Sequence, residues 1–233
     1  ATDGDFNVGL SNPDALKDYI ADKRVSGTFL SVLGFGRGNL DDATMQALAQ
    51  NGNGQASYID SLPEAQKVLV DQLTGALFPI ASDVKVQVEF NPATVSEYRL
   101  IGYETRALAR EDFNNDKVDA GDIGAGHQVT ALYEITLAGA AGQVAALRYG
   151  AAVEGVSTSE LGYLKLRYKT PGEGESQLVE HAIPTDLETD VELEFASAIA
   201  GFGELLRGST RLGEWTYADA IAAARSARGD DAF

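Results

Sequence analysis

The hydrophobic period of the chain changes part-way along. Up to about position 80, apolar residues fall at helical spacing or in short continuous runs; beyond it they alternate with polar ones. Asn12 followed by Pro13 has the chemistry of a helix start. The Asn side chain can accept from exposed backbone N–H groups, and Pro at the first position loses nothing by lacking its own. Leu16, Tyr19 and Ile20 then share one helical face, and Gly27 is placed to stop the helix. Residues 28–35 are almost continuously apolar, as expected of a parallel strand covered on both faces. A second helix is expected over 41–50, with Met45 and Leu48 inward, ended by Asn51-Gly52-Asn53-Gly54 and followed by a short strand over 56–59. Ser61 and Glu64 have capping-box spacing. The helix they start carries Ala65, Val68, Leu69, Leu73 and Leu77 and is expected to reach about Ile80. Helix and strand in alternation make half of a doubly wound, Rossmann-like sheet with right-handed crossovers.

From position 82 the pattern is different. Val84-Lys85-Val86-Gln87-Val88-Glu89-Phe90 alternates strictly, as a half-buried antiparallel strand does. Further strands are expected over 98–104, 128–137, 144–149, 161–168 and 177–183, the last two joined by a turn through Pro171 and Gly172. Strands at this density predict an antiparallel β-sandwich-like region. The chain then returns to helix, over 191–207 and from Thr216 to about 227, with Trp215 anchoring the last helix to the core. The fold class expected is α/β plus β, divided as residues 1–81 and 82–233. Half an open sheet leaves its first edge bare. That edge is expected to be covered by the second region, by the missing half, or by a neighbouring chain in a homo-oligomer.

Composition narrows the function. Lys and Arg number 18 against 35 Asp and Glu, a net charge of −17, so the basic footprint that nucleic-acid binding needs is missing. Such acidity favours solubility, cation binding or a basic partner. The chain has no cysteine, which excludes disulfides, thiolate metal sites and cysteine nucleophiles. No apolar run approaches the ~18 to 20 residues of a membrane span, and the N-terminal residues lack the basic-then-apolar look of a signal peptide. The chain is expected to begin inside a structural element.

Three stretches carry candidate chemistry. In Ala1-Thr2-Asp3-Gly4-Asp5-Phe6-Asn7, short oxygen side chains crowd a turn ahead of a helix, where a hard cation such as Mg²⁺ would sit. An Asp/Asn-rich turn that caps itself accounts for the same residues. Gly34-Phe35-Gly36-Arg37-Gly38 lacks the Lys-Ser/Thr of a phosphate loop and reads better as a tight strand-to-helix turn. The most acidic loop, 112–122, places Asp112, Asn114 and Asp116 at the first three positions of an EF-hand-like Ca²⁺ site, with Asp119 and Asp122 as further ligands. It lacks the Gly after Asp116 and the closing Glu. Two carboxylates ~4 Å apart repel by about 4 kcal/mol at an effective dielectric of 20, so convergence of these groups needs a cation; a splayed, solvated loop needs none. His127 and His181 lie in or beside strands without a partner motif, and no serine elbow or zinc motif is present. No enzyme is expected.

Thr2-Asp3-Gly4-Asp5-Phe6-Asn7, Val32-Leu33-Gly34-Phe35-Gly36 and Asn51-Gly52-Asn53-Gly54 before Tyr58-Ile59, in that order, resemble the C-terminal half of a von Willebrand factor A domain. The whole chain resembles bacterial A-domain proteins with an uncharacterised C-terminal region. The resemblance implies a metal-ion-dependent adhesion site in which Asp3 matches the Asp of the third loop. The Asp-x-Ser-x-Ser and Thr loops would lie upstream, so Mg²⁺ binding is expected only in a longer chain. It also implies a non-enzymatic, adhesion-type module for an unidentified protein ligand, in the cell envelope or periplasm. A structural envelope scaffold stabilised by Ca²⁺ in the 112–122 loop is the alternative.

Overall fold

The computed structural model describes residues 12–36, 41–72, 75, 78–103, 106–118, 120–144 and 157–229. The opening turn with Asp3, the first sheet edge, Asp119, Arg37 and Gly38, and residues 145–149 of the strand expected over 144–149 lie outside the described residues.

The first helix, α1 (Pro13–Val25), starts where the capping chemistry puts it. Asn12 Oδ1 accepts from the backbone N–H of Asp14 at 3.0 Å and of Ala15 at 3.1 Å. Strand β1 is shorter than its apolar run and occupies only Val32–Phe35. Thr28 N–H donates back to the Lys23 carbonyl and Leu30 N–H donates to the Gly52 carbonyl, so the residues before β1 serve as a helix exit. Next comes α2 (Asp42–Asn51), capped by Asp41, and then β2 (Ala56–Ile59), which pairs with β1 in parallel register from Val32 opposite Ala56 to Phe35 opposite Ile59. The Asn-Gly-Asn-Gly stretch does more than end α2. A Cβ on Gly54 would collide with the Leu30 carbonyl, so the chain passes the lead into β1 only with glycine there. Ile20, Val32, Met45, Leu48 and Ala49 form the core, with Leu16, Leu30 and Ala56 packed against it. Tyr19 is not part of it: its ring is exposed, with the Lys23 ammonium 5.3 Å from the ring centroid.

The third helix departs from expectation. Ser61 Oγ accepts from Glu64 N–H at 3.4 Å and starts α3 (Leu62–Gln66), but a π turn over Lys67–Asp71 follows at once. Pro79 and Ile80, expected at the helix end, open the long strand β3 (Pro79–Phe90) instead. Pro is tolerated at the first position of a strand, where no ladder bond asks for its N–H.

The remaining strands are β4 (Val95–Ile101), β5 (Gly121–Gly124), β6 (Leu132–Leu137), β7 (Glu160–Lys169) and β8 (Gln177–Pro184). They make a four-stranded sheet in the order β5-β3-β7-β8 and an antiparallel pair β4-β6, with Tyr98 opposite Ile135. The fold class is therefore α/β plus antiparallel β, closed by two helices, α4 (Val191–Leu206) and α5 (Tyr217–Ala227). Strand β5 was not legible as a strand; it lies within the acidic loop. The β7–β8 turn forms at Thr170, whose carbonyl accepts from Glu173 N–H at 2.9 Å, with Gly172 at φ 87°.

Two compact units emerge, built from interleaved segments. One comprises 1–85, 114–128 and 167–178; the other comprises 86–113, 129–166 and 179–233. Position 81, where the period changes, falls inside β3.

Candidate functional site

In the first unit, the acidic loop is organised by the chain's own cations. Strand β3 is irregular against β5, with register shifts between Ala81 and Val84. Asp83 sits in that irregularity at φ 53°, a left-handed position that Asp tolerates better than most residues. The bend turns its carboxylate inward. Lys85, whose side chain is fully buried, lies 3.2 Å from Asp83 Oδ1 and donates to the Asn115 carbonyl at 2.7 Å. Lys169, from β7, lies 3.0 Å from Asp83 Oδ2 and donates to the Asp116 carbonyl at 3.2 Å. A buried ammonium without a partner costs several kcal/mol, so this pairing is obligatory once Lys85 is inside.

Arg167 bridges the loop itself. One guanidinium nitrogen donates to Asn114 Oδ1 at 3.2 Å and the other to Asp116 Oδ1 at 2.9 Å. Ser176 Oγ donates to the same Asp116 oxygen at 2.6 Å. That hydroxyl, and then Arg167 and Lys169, hold the Asp116 carboxyl below its ordinary range against a smaller opposing effect of burial. Of the sequence-predicted ligands, Asn114 and Asp116 are thus brought together, on a guanidinium. Asp122 is at the start of β5, where its Oδ1 accepts from Asp83 N–H at 3.4 Å. Asp112 belongs to a 3-10 turn (Arg110–Asn114) in the second unit. Among the described residues, no group of three or more His, Asp or Glu side chains converges as a metal site. His127 hydrogen-bonds Gln55 Nε2 at 2.9 Å.

A different surface stands out in the second unit. α4 and α5 form a helical hairpin, and α4 turns its small residues inward. Ala198, Gly201 and Glu204 are buried. A Cβ on Gly201 would collide with the indole of Trp215, so that ring packs directly against the helix at this glycine. Glu204 is held by Arg99 of β4, whose Nη2 lies 3.3 Å from the Glu204 carboxylate while its Nε pairs with Glu134. The Ser209 hydroxyl first, and Arg99 next, keep the Glu204 carboxyl below its ordinary range, with burial opposing them. The capping box of Thr216 and Asp219 fixes the start of α5.

Several large residues of α4 face away from this docking. Phe195, Ile199, Phe202 and Leu206 recur at intervals of four, three and four, one stripe along the helix. Ile199, Phe202 and Leu206 are 49%, 43% and 64% exposed. Tyr217 and Ile221, one turn apart on α5, are also exposed. The Phe202 and Tyr217 rings meet edge to face at 6.1 Å, which joins the two stripes into one apolar face. Sequence reasoning expected a helix over 191–207 without saying which of its faces docks; Gly201 opposite the only tryptophan is the feature that marks it.

No helix among the described residues is long and apolar enough to cross a membrane. A protein of Escherichia coli (strain K12) described as "Uncharacterized protein YfbK" is 46% identical over 235 residues, which covers 99% of this chain. The chain spans 41% of that relative's length. The family described as "Uncharacterized protein YfbK, C-terminal" matches residues 75–233, a stretch that holds both the Arg167-bridged loop and the α4–α5 face, and the chain belongs to that family.

Proposed function

We propose that this chain is a non-enzymatic protein-binding module of a longer A-domain protein. Residues 1–81 are read as the C-terminal half of a von Willebrand factor A-like domain. The parallel β1–β2 pair, with α1 and α2 around an aliphatic core, supports that half. Mg²⁺ would enter only with the upstream loops, beside Asp3, in the cell envelope or periplasm. The observation that carries the binding role is the apolar face of α4 and α5. Folded monomers seldom leave a contiguous stripe of large apolar side chains in water unless something docks there. A photoreactive phenylalanine analogue at position 202 of the full-length protein tests it in cells. One discrete crosslinked species, absent when the analogue replaces Glu173 in the β7–β8 turn, supports the role. No crosslink from either position overturns it.

A second reading, a structural scaffold held through the 112–122 loop, is favoured by Arg167 bridging Asn114 and Asp116. In its Ca²⁺-stabilised form, the oxygen side chains that the sequence places in this loop would hold an ion in place of Arg167. Thermal unfolding in millimolar Ca²⁺ and in EDTA decides between the two forms. A higher midpoint with Ca²⁺ supports the ion; superimposable curves leave the loop to the protein's own cations.

A further inference from the structure

We infer that the α4–α5 face receives a basic amphipathic helix of another protein. This inference rests on the protein-binding role and names the class of partner. α4 and α5 pack together, joined through residues 207–216, and exposed apolar residues of both make one face: Ile199, Phe202 and Leu206 from α4, Tyr217 and Ile221 from α5. A third helix with apolar residues at i, i+3, i+4 and i+7 can cover such a face, as in helix-in-groove recognition.

Charge selects among occupants. The segment leading into α4 carries Asp186, Glu188, Asp190, Glu192 and Glu194, and no Lys or Arg occurs between 186 and 206. Around this end of the face the field is negative, and the whole chain bears −17. A second copy would bring the same net charge against itself. An anionic membrane surface would be repelled for the same reason. A helix with Lys or Arg beside its apolar stripe is instead steered toward the face, its cations meeting the acidic end of α4 while its apolar side chains cover Phe202 and Leu206.

The test uses the intact chain and a fluorescein-labelled 18-residue peptide with Leu at helical spacing and Lys elsewhere, read by anisotropy. Expected is saturable micromolar binding, at least tenfold weaker for a scrambled peptide of the same composition and for a Leu/Glu peptide of the same pattern. Leu206→Lys and Ile199→Ser should each weaken binding tenfold or more with the far-UV dichroism unchanged, whereas Leu206→Met should bind as the unaltered chain does. Equal binding of patterned and scrambled peptides overturns the proposal, as does equal binding to the Leu206→Lys chain. So does a concentration-dependent dimer in sedimentation that Leu206→Lys dissolves, because the occupant is then a second copy. A discrete crosslink from position 202 alongside failure of the peptides would retain the binding role and reject this class of partner.

Discussion

α2 and α4 are both amphipathic helices, and they turn opposite kinds of residue inward. α2 buries Met45 and Leu48 almost completely, together with Ala49. α4 buries Ala198, Gly201 and Glu204 and leaves Ile199, Phe202 and Leu206 half in water. A helical stripe in a sequence therefore shows that two faces differ, without showing which is docked. Close approach decides it in α4: the indole of Trp215 needs a glycine beneath it, and Arg99 needs a carboxylate. Those demands claim the face of Ala198, Gly201 and Glu204 and leave Ile199, Phe202 and Leu206 exposed.

The comparison breaks first at α2. Leu48→Ala removes a side chain that is 1% exposed in the aliphatic core, and a cost of about 2–5 kcal/mol is expected. Urea unfolding followed by far-UV dichroism reads it. A loss below ~1 kcal/mol would mean that α2 is not held by its apolar face. In α4 the counterpart is Gly201→Ala. Alanine is the better helix former by about 1 kcal/mol, yet the added methyl meets Trp215. A net cost of about 1–3 kcal/mol is expected from overpacking. Trp215 is the sole tryptophan, so its fluorescence reports that transition directly. A Gly201→Ala chain as stable as the original, or more so, would show that the indole does not depend on that glycine.

How far the sequence carries can be read from these positions. Capping chemistry is local, and Asn12, Asp41, Ser61 and Thr216 each cap the helix that their neighbours predict. The parallel strand over 56–59 and the hairpin strands on either side of Gly172 were legible for the same reason: a short periodic run between turn residues needs no distant partner to declare itself. What failed was long-range. Pro79 and Ile80 read as a helix end because the partner of Pro79, Gly124 in β5, lies 45 residues on. The 112–122 loop read either as oxygen ligands for an ion or as a splayed, solvated loop. The cations that meet it come from β3 and β7, and no local window contains Lys85, Asp116 and Arg167 together. Charge repulsion called for a counter-charge, and no local stretch could show that Arg167 lies beside Asp116.

A smaller effect tests whether Glu204 is part of what docks α4. Its carboxyl is held below the ordinary range, so the folded state favours the charged form more than the unfolded chain does. That stability is fully present at neutral pH and is lost as pH falls through the carboxylate range toward the folded value. Glu204→Gln should flatten the acid limb of the Trp215 transition between about pH 5 and pH 3, a window set by ordinary carboxylate titration. An unchanged acid limb would leave the docking to Ala198, Gly201 and Trp215 alone.

The smallest expected change carries the sharpest comparison. Leu206 is 64% exposed in the last turn of α4, so Leu206→Lys removes little buried area. The new ammonium lies near the negative end of the helix dipole, where a cation is favourable by a few tenths of a kcal/mol. Stability should therefore move by no more than ~0.5 kcal/mol in either direction, as at other exposed sites. The same substitution should weaken peptide docking tenfold or more. Leu48→Ala is its mirror image: a large cost in stability at a residue too deeply buried to meet a partner. A Leu206→Lys chain destabilised as much as Gly201→Ala would mean that the stripe is packed within the protein, and α4 would then have no free face to offer.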